Sequence, residues 1–148
     1  GASRVWATGR AANAERIREL GAEPIPYDEV DWTQVVREQT GGEGVDVVLD
    51  THYFETFAPS LEIVKPGGIV VPLPTLADLS PARDRGIRAA IPAIVPGRDR
   101  LDQLVRGMRS GRYPLEASRV LPLAEIADAH RLLEEGHTRG KLVIDVRA

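Results

Sequence analysis

Val45-Asp46-Val47-Val48-Leu49-Asp50 is the stretch that decides the fold, because it is short, mostly apolar and rich in β-branched residues. A run of this kind is typical of a buried strand in a parallel sheet. A helical pattern follows at residues 55–64, and Pro66-Gly67-Gly68 ends it before a second apolar run at residues 69–71. This order of strand, helix and strand predicts a parallel β/α unit, since parallel strands need a crossover connection.

The same alternation continues toward the amino end. The predicted elements are a strand at residues 4–8 ending at Gly9, a helix at 11–20 ending at Gly21, a short strand at 24–27 and a helix capped by Asp31. Asp is a favoured residue at a helix N-terminus because its carboxylate accepts hydrogen bonds from backbone N–H groups. The glycines of residues 41–44 end that helix and predict a turn, because this segment precedes a strand instead of following one.

The pattern toward the carboxyl end is less regular. We expect a loop at residues 73–84 and a further strand within 86–95, interrupted by Pro92. A helix capped by Asp99 should follow, with an apolar side formed by Leu101, Leu104, Val105 and Met108. After residues 120–122 we expect a second amphipathic helix and then a closing strand at 142–146. Taken together, the segments predict an α/β fold with a Rossmann-like, doubly wound parallel sheet.

Composition excludes several classes of protein. The 148 residues carry a net charge of −3, which gives no reason to expect nucleic acid or an anionic membrane as a partner. There is no apolar run of membrane-spanning length and no signal peptide, so we expect a cytoplasmic protein. The chain has no cysteine, which excludes disulfides and thiolate zinc sites. The three histidines are far apart and give no metal signal; we expect His137 at the surface.

Several motifs occur in an order that resembles one family. They are GASRVWAT at residues 1–8, LGAE at 20–23, GVDVVLDT at 44–51, the segment from Leu61 to Gly68, LPLAE at 121–125, AHR at 129–131 and RGK at 139–141. In this order and spacing the chain resembles the medium-chain dehydrogenase/reductase superfamily, in its zinc-independent quinone oxidoreductase and enoyl reductase branch.

The resemblance implies a two-part protein, with a barrel-like catalytic domain and a Rossmann domain inserted near its C-terminal end. Residues 1–115 are expected to be a partial Rossmann domain, and residues 116–148 a helix and strand that return to the catalytic domain. The first strand and helix of the Rossmann unit are then missing, together with the glycine-rich turn that binds phosphate.

The end of the first predicted strand points to NADP(H). This strand corresponds to the second strand of a Rossmann domain, where an acid at the end usually binds the ribose 2′-hydroxyl of NAD. Here the strand ends in Thr8-Gly9-Arg10 instead. The planar donors of Arg10 suit a 2′-phosphate, with Thr8, Gly9 and Asn13 as neighbours. The alternative is a solvated surface arginine in a chain rich in arginine.

Three further residues match cofactor contacts in the family. Tyr27 stands where an aromatic residue often stacks on adenine or hydrogen-bonds the phosphate; the alternative is a half-buried tyrosine on an edge strand. Arg139 and Lys141 match a basic pair near the cofactor phosphates, and the alternative is a charged entry to the last strand.

Two loops are expected beside the ribose or nicotinamide, since ligands of open parallel sheets bind outside the carboxyl ends of the strands. One contains Asp50 and Thr51, followed by His52 and Tyr53, which are candidate proton donors or ordinary loop residues. The family usually has a small residue and glycine where this chain has His52-Tyr53-Phe54. The other loop begins at Pro72-Leu73-Pro74.

The resemblance implies an NADPH-dependent oxidoreductase that transfers hydride to a quinone, an enone or a similar small molecule. Two other classes stay open. One is a non-catalytic fragment or pseudoenzyme, which the missing phosphate turn favours. The other is an assembly module, because residues 86–95 match the place of a strand that forms the edge of a homodimer in this family.

Overall fold

The computed structural model describes residues 1–136 and 138–147, so the prediction for His137 lies outside the described residues. The strands are β1 (Trp6–Gly9), β2 (Glu23–Pro26), β3 (Val45–Asp50), β4 (Val64–Pro72), β5 (Arg88–Ala89), β6 (Ala117–Pro122) and β7 (Lys141–Asp145). The α-helices are α1 (Ala14–Glu19), α2 (Trp32–Gln39), α3 (Phe57–Ile63), α4 (Ser80–Asp84), α5 (Arg98–Arg109) and α6 (Ile126–Glu134). Single 3₁₀ turns, Ala11–Asn13 and Leu123–Glu125, precede α1 and α6.

All strand pairs described in the chain are parallel. They form three sheets, β1-β2, β3-β4-β5 and β6-β7. The predicted Rossmann-like α/β fold with parallel sheets is therefore confirmed. By internal packing the chain forms two compact units, Gly1–Ala93 and Ile94–Ala148. The division of function at residues 115/116 stays a prediction.

The core of the first unit lies between its sheets and helices. One cluster joins Ile25 of β2, Val36 of α2 and Ile63 of α3, with Trp6 and Val45 packed at its margin. This cluster holds the β1-β2 sheet and the start of β3 on the same pair of helices. A second cluster joins Phe57, Leu61, Val70 and Ala82.

The turn before β3 depends on glycine, as its sequence predicts. Gly44 has a φ of +84°, and a Cβ there would lie 2.5 Å from the carbonyl oxygen of Ile63. A residue with a side chain would therefore be strained both by its backbone conformation and by the close approach of the α3–β4 junction. The glycine lets β3 start directly against that junction.

The sheet surfaces of the first unit are unevenly covered. Val48 is half-buried against α3 and the core, whereas Val47 and Leu49 on the opposite face are 59% and 62% exposed. In the part of the chain that the structure describes, β1 pairs only with β2, and β3 pairs only with β4. The described residues thus leave one edge of β1, one edge of β3 and one apolar face uncovered.

The second unit has a smaller core. Leu121 of β6 and Ala129 of α6 are buried, and β6 pairs with β7 from Ala117↔Lys141 to Pro122↔Asp145. The predicted apolar stripe of α5 forms, but its large side chains stay partly exposed, from 38% at Val105 to 61% at Leu101.

Four sequence predictions need correction. The predicted loop at 73–84 contains α4, because Pro81 suits a first helical turn and Asp78 binds the Ser80 N–H. The predicted strand at 86–95 shrinks to β5. Gly97, and not Asp99, precedes α5. Asp99 lies in the first turn, where its negative charge interacts favourably with the positive end of the helix dipole. β4 begins at Val64, so Pro66-Gly67-Gly68 lies within this strand and does not separate the helix from it.

Candidate functional site

The carboxyl ends of β3 and β4 lie side by side, as predicted for the loops that follow them. Asp50 pairs with Pro72 in the parallel register, and the Leu73 N–H donates to the Asp50 carbonyl oxygen over 2.9 Å. The structure therefore brings Asp50 and Thr51 close to Pro72 and Leu73, with Pro74 next in the chain.

Asp50 organises this end of the sheet. Its side chain is 5% exposed, and its Oδ1 accepts hydrogen bonds from the backbone N–H groups of His52 and Tyr53, at 3.0 and 2.8 Å, and from the Thr56 hydroxyl at 2.7 Å. Its Oδ2 is buried and has no hydrogen-bond partner among the described residues. A buried carboxylate oxygen without a donor is costly, so the Asp50 side chain depends on the three donors to its other oxygen.

The next residues differ in exposure. Thr51 and His52 are exposed, and the His52 ring contacts Phe54 edge-on. Tyr53 is half-buried against Phe57, and its hydroxyl is hydrogen-bonded to the backbone of Asp78. The assignment of His52 or Tyr53 as a proton donor stays a prediction.

The carboxyl ends of β1 and β2 form a second polar surface in the same unit. Gly9 pairs with Pro26, and the Tyr27 N–H donates to the Gly9 carbonyl oxygen over 3.1 Å. This brings Tyr27, which is 51% exposed, close to Arg10 in the chain fold. Arg10 is exposed and forms no ion pair within residues 1–136 and 138–147.

Neighbouring residues around Arg10 follow the predicted set in part. Thr8 is exposed on β1, and the Asn13 N–H donates to the Arg10 carbonyl oxygen over 2.8 Å, closing the 3₁₀ turn. Thr8, Gly9, Arg10, Asn13 and Tyr27 thus lie at or next to the carboxyl ends of β1 and β2. Among the described residues, no hydrogen bond joins any of them to the Asp50 side chain.

Asp28 is the residue of this surface that sequence reasoning missed. Its Oδ1 accepts a hydrogen bond from the Ala11 N–H over 2.9 Å, at the start of the 3₁₀ turn. The sequence signal was available, because Asp28 follows Tyr27 directly after a short strand. Its carboxylate brings a negative charge to the end of the sheet where Arg10 brings a positive one.

Arg139 and Lys141 belong to the second unit, at the start of β7. Arg139 lies 3.4 Å from Glu116 in an ion pair, and the Lys141 N–H donates to the Glu116 carbonyl oxygen. Arg139 also lines a cavity of about 310 Å³ with Arg119 and Leu132. Their predicted contact with cofactor phosphates stays a prediction.

Metal ligands are not grouped in the described part of the chain. Residues 1–136 and 138–147 contain no set of three or more His, Asp or Glu side chains placed to hold a metal ion. Helices long and apolar enough for a membrane span are likewise not found among these residues.

Comparison with known proteins supports the predicted family. The family described as zinc-binding dehydrogenase matches residues 20–144. A 2-haloacrylate reductase from Burkholderia sp is 30% identical over 160 aligned positions, covering 97% of this chain and 48% of that protein. The chain thus spans about half the length of the curated relative it matches.

Solved structures show the same partial coverage. The quinone oxidoreductase of Coxiella burnetii has a TM-score of 0.87 and 29% identity, covering 97% of this chain and 45% of its own. The Escherichia coli quinone oxidoreductase complexed with NADPH has a TM-score of 0.80 and 25% identity, covering 95% and 49%. The chain belongs to the zinc-binding dehydrogenase family and corresponds to the C-terminal, cofactor-binding half of its medium-chain dehydrogenase/reductase relatives.

Proposed function

We propose that this chain binds NADP(H) as the cofactor-binding part of a reductase that acts on a quinone, an enone or a similar electron-poor small molecule. The observation that carries the proposal is that the carboxyl ends of β3 and β4 lie side by side, with Asp50 paired to Pro72 and with exposed Thr51 and Leu73 at the start of the two loops. Ligands of parallel α/β sheets bind at that end of the strands.

The residues at β3 and β4 fit a dinucleotide in their chemistry. A ribose hydroxyl or a carboxamide can hydrogen-bond to the Thr51 hydroxyl and to the backbone of the two loops. Thr51 and Leu73 are exposed at the start of these loops. We assign the nicotinamide half of the cofactor to Asp50, Thr51, Pro72, Leu73 and Pro74.

The residues at β1 and β2 fit the adenosine half. Arg10 is exposed and free of ion pairs among the described residues, so its guanidinium is available for a 2′-phosphate. Thr8 and Asn13 flank it, and Tyr27 offers an exposed ring and hydroxyl. The negative charge of Asp28 repels the same phosphate and so reduces the preference for NADPH over NADH.

The bound dinucleotide supplies the hydride, and the protein supplies orientation and electrostatics. The names of the relatives, quinone oxidoreductase and 2-haloacrylate reductase, support an electron-poor alkene or quinone as the substrate class. The described residues bring no three His, Asp or Glu side chains together, so they do not fit the zinc that the family name implies.

A calorimetric titration of the protein with NADPH and with NADH tests the proposal. We expect saturable binding of both, with NADPH tighter. Preference for NADH would contradict the role of Arg10, and binding of neither would contradict the cofactor assignment. Arg18→Ala is a suitable control, since Arg18 is exposed on α1 outside the proposed surface.

A second candidate function is assembly. Ile94 is 79% exposed and Val95 is 53% exposed, at the end of the segment 86–95 that is expected to form a homodimer edge. The mass in solution with and without cofactor separates the two proposals. A dimer that binds no dinucleotide would favour an assembly module or a pseudoenzyme over a reductase.

A further inference from the structure

The loop at residues 73–78, between β4 and α4, is held at both ends by the segment that follows β3. At its start, the Leu73 N–H donates to the Asp50 carbonyl oxygen over 2.9 Å. At its end, the Asp78 N–H donates to the Tyr53 hydroxyl oxygen over 2.7 Å, and that hydroxyl donates to the Asp78 carbonyl oxygen over 3.3 Å. Asp50 and Tyr53 thus close the two ends of the loop.

Tyr53 has an unusual backbone conformation. Its φ is +76°, and it is the only non-glycine residue with positive φ in the described part of the chain. A bulky residue is rarely found in this region, and such strain persists only where the surroundings fix it. Here the Tyr53 N–H donates to Asp50 Oδ1 over 2.8 Å, and the ring packs on Phe57 with centroids 5.1 Å apart.

The loop has little packing of its own. Leu76 in its middle is 96% exposed, and Thr75 and Asp78 are exposed as well. Beyond the loop, Asp78 accepts hydrogen bonds from the Ser80 N–H and hydroxyl at the start of α4, and Ala82 of that helix is fully buried. The hydrogen bonds to Tyr53 therefore connect a poorly packed loop to well-packed structure on either side.

We propose that Tyr53 is a positioning residue, whose hydroxyl fixes residues 73–78 beside Asp50 so that the loop can hold the nicotinamide half of the dinucleotide. This inference rests on the proposed function. It replaces the role of Tyr53 as a proton donor, because the hydroxyl proton and a lone pair are both engaged by the Asp78 backbone. A glycine here would adopt the same backbone conformation without strain but could not reach Asp78.

The first test is amide hydrogen exchange of the Tyr53→Phe protein without cofactor. The ring and its packing on Phe57 are kept, so the fold should survive and only the two hydrogen bonds are lost. We expect exchange of the Ala77 and Asp78 amides, which donate to the Pro74 carbonyl oxygen and the Tyr53 hydroxyl, to become about tenfold faster, with β3 and α3 unchanged. The control is Tyr113→Phe, since the Tyr113 hydroxyl makes no hydrogen bond with the described residues. Unchanged exchange in Tyr53→Phe would overturn the proposal.

The second test compares two ligands. Tyr53→Phe should weaken NADPH about fivefold to tenfold, as expected for two lost hydrogen bonds that order a loop. It should leave adenosine 2′,5′-bisphosphate unchanged, because this probe lacks the nicotinamide half. Equal loss of both ligands would indicate a general structural effect and overturn the positioning role, and so would faster loop exchange with unchanged NADPH affinity.

The two tests also separate this inference from the proposed function. If the unmodified protein binds neither NADPH nor the bisphosphate, the proposed function fails and the cofactor role of Tyr53 fails with it. If the unmodified protein binds both, and Tyr53→Phe changes neither the exchange of the loop nor the affinity for NADPH, only the assignment of Tyr53 is wrong.

Discussion

The carboxyl ends of β3 and β1 hold equivalent places in two parallel sheets, but they present polar groups by different means. Asp50, after β3, is buried and accepts three hydrogen bonds from residues that follow it in the chain. Arg10, after β1, is exposed, and Asp28 at the same end of the sheet accepts a hydrogen bond from the Ala11 N–H. At the end of β3 the polar group is buried and held by hydrogen bonds, whereas at the end of β1 the charged side chains are exposed to solvent.

This difference separates stability from selectivity. A buried, hydrogen-bonded carboxylate is tied to the fold, since removing it leaves donors unsatisfied. Exposed charges contribute little to stability but act on a charged ligand. We therefore expect substitutions after β3 to affect folding first, and substitutions after β1 to affect the choice of cofactor.

The largest expected effect is that of Asp50→Ala. Three donors lose their acceptor in a buried place, so the free energy of unfolding should fall by about 3 kcal/mol. Urea denaturation measures this loss. Asp28→Ala is the matched control, and it should change the free energy of unfolding by less than about 1 kcal/mol because Asp28 is exposed. Equal losses at the two positions would remove the contrast between the two ends.

Arg10→Ala should have the next largest effect, on cofactor choice. Loss of a charge-assisted hydrogen bond to the 2′-phosphate should weaken NADPH by about tenfold or more, while NADH stays within about twofold. Titration of both cofactors against the variant measures the ratio. An equal loss for NADPH and NADH would rule out contact of Arg10 with the 2′-phosphate.

Asp28→Asn should act in the opposite direction and less strongly. The amide oxygen can still accept from the Ala11 N–H, but the negative charge is removed. NADPH should then bind about threefold tighter, and NADH should be little changed, since exposed charge pairs contribute only a few tenths to about 1 kcal/mol. The gain should shrink at high salt. A loss of NADPH affinity would show that the carboxylate itself serves the ligand.

The smallest expected effect concerns pH and α2, which packs against β2 and α3. Hydrogen bonds from the Thr33 hydroxyl and from the Gln34 and Thr33 N–H groups hold the pKa of Asp31 below its ordinary value. A lowered pKa in the folded state means that this carboxylate stabilises the protein above its ordinary pKa. The contribution is lost as the pH falls through the lowered value.

Asp31→Ala should consequently lower the free energy of unfolding at pH 7 more than at pH 3. Denaturation of both proteins at the two pH values measures the difference. Glu43→Ala serves as the control, because Glu43 is exposed and its side chain makes no hydrogen bond or ion pair with the described residues. A difference that stays constant with pH would contradict the capping role of Asp31.

The sequence predicted the regular parts of the fold well. Val45–Asp50 forms the predicted strand with the predicted bounds, and the Asp31 cap forms with Thr33 and Gln34 as its donors. Both depend on local chemistry: a short apolar run bounded by turns, and a side chain that binds the next N–H groups. The parallel arrangement followed from the alternation of strands and helices.

The sequence was less informative where distant residues decide the structure. Residues 86–95 are mostly apolar, but only Arg88 and Ala89 pair with β4, although that strand continues to Pro72. The contacts of Tyr53 with Asp78 and of Asp28 with Ala11 join residues that are 25 and 17 positions apart. Periodicity does not report such contacts.

The most direct test of the central claim, that the dinucleotide binds at the carboxyl ends of both strand pairs, is an NMR titration of the isotope-labelled protein with NADPH. We predict that shifted backbone signals cluster at residues 8–13 and 27–28, and at 50–53 and 72–78. NADH should shift the second group similarly and the first group less. Shifts confined to other residues, or no shifts at saturating NADPH, would contradict the account.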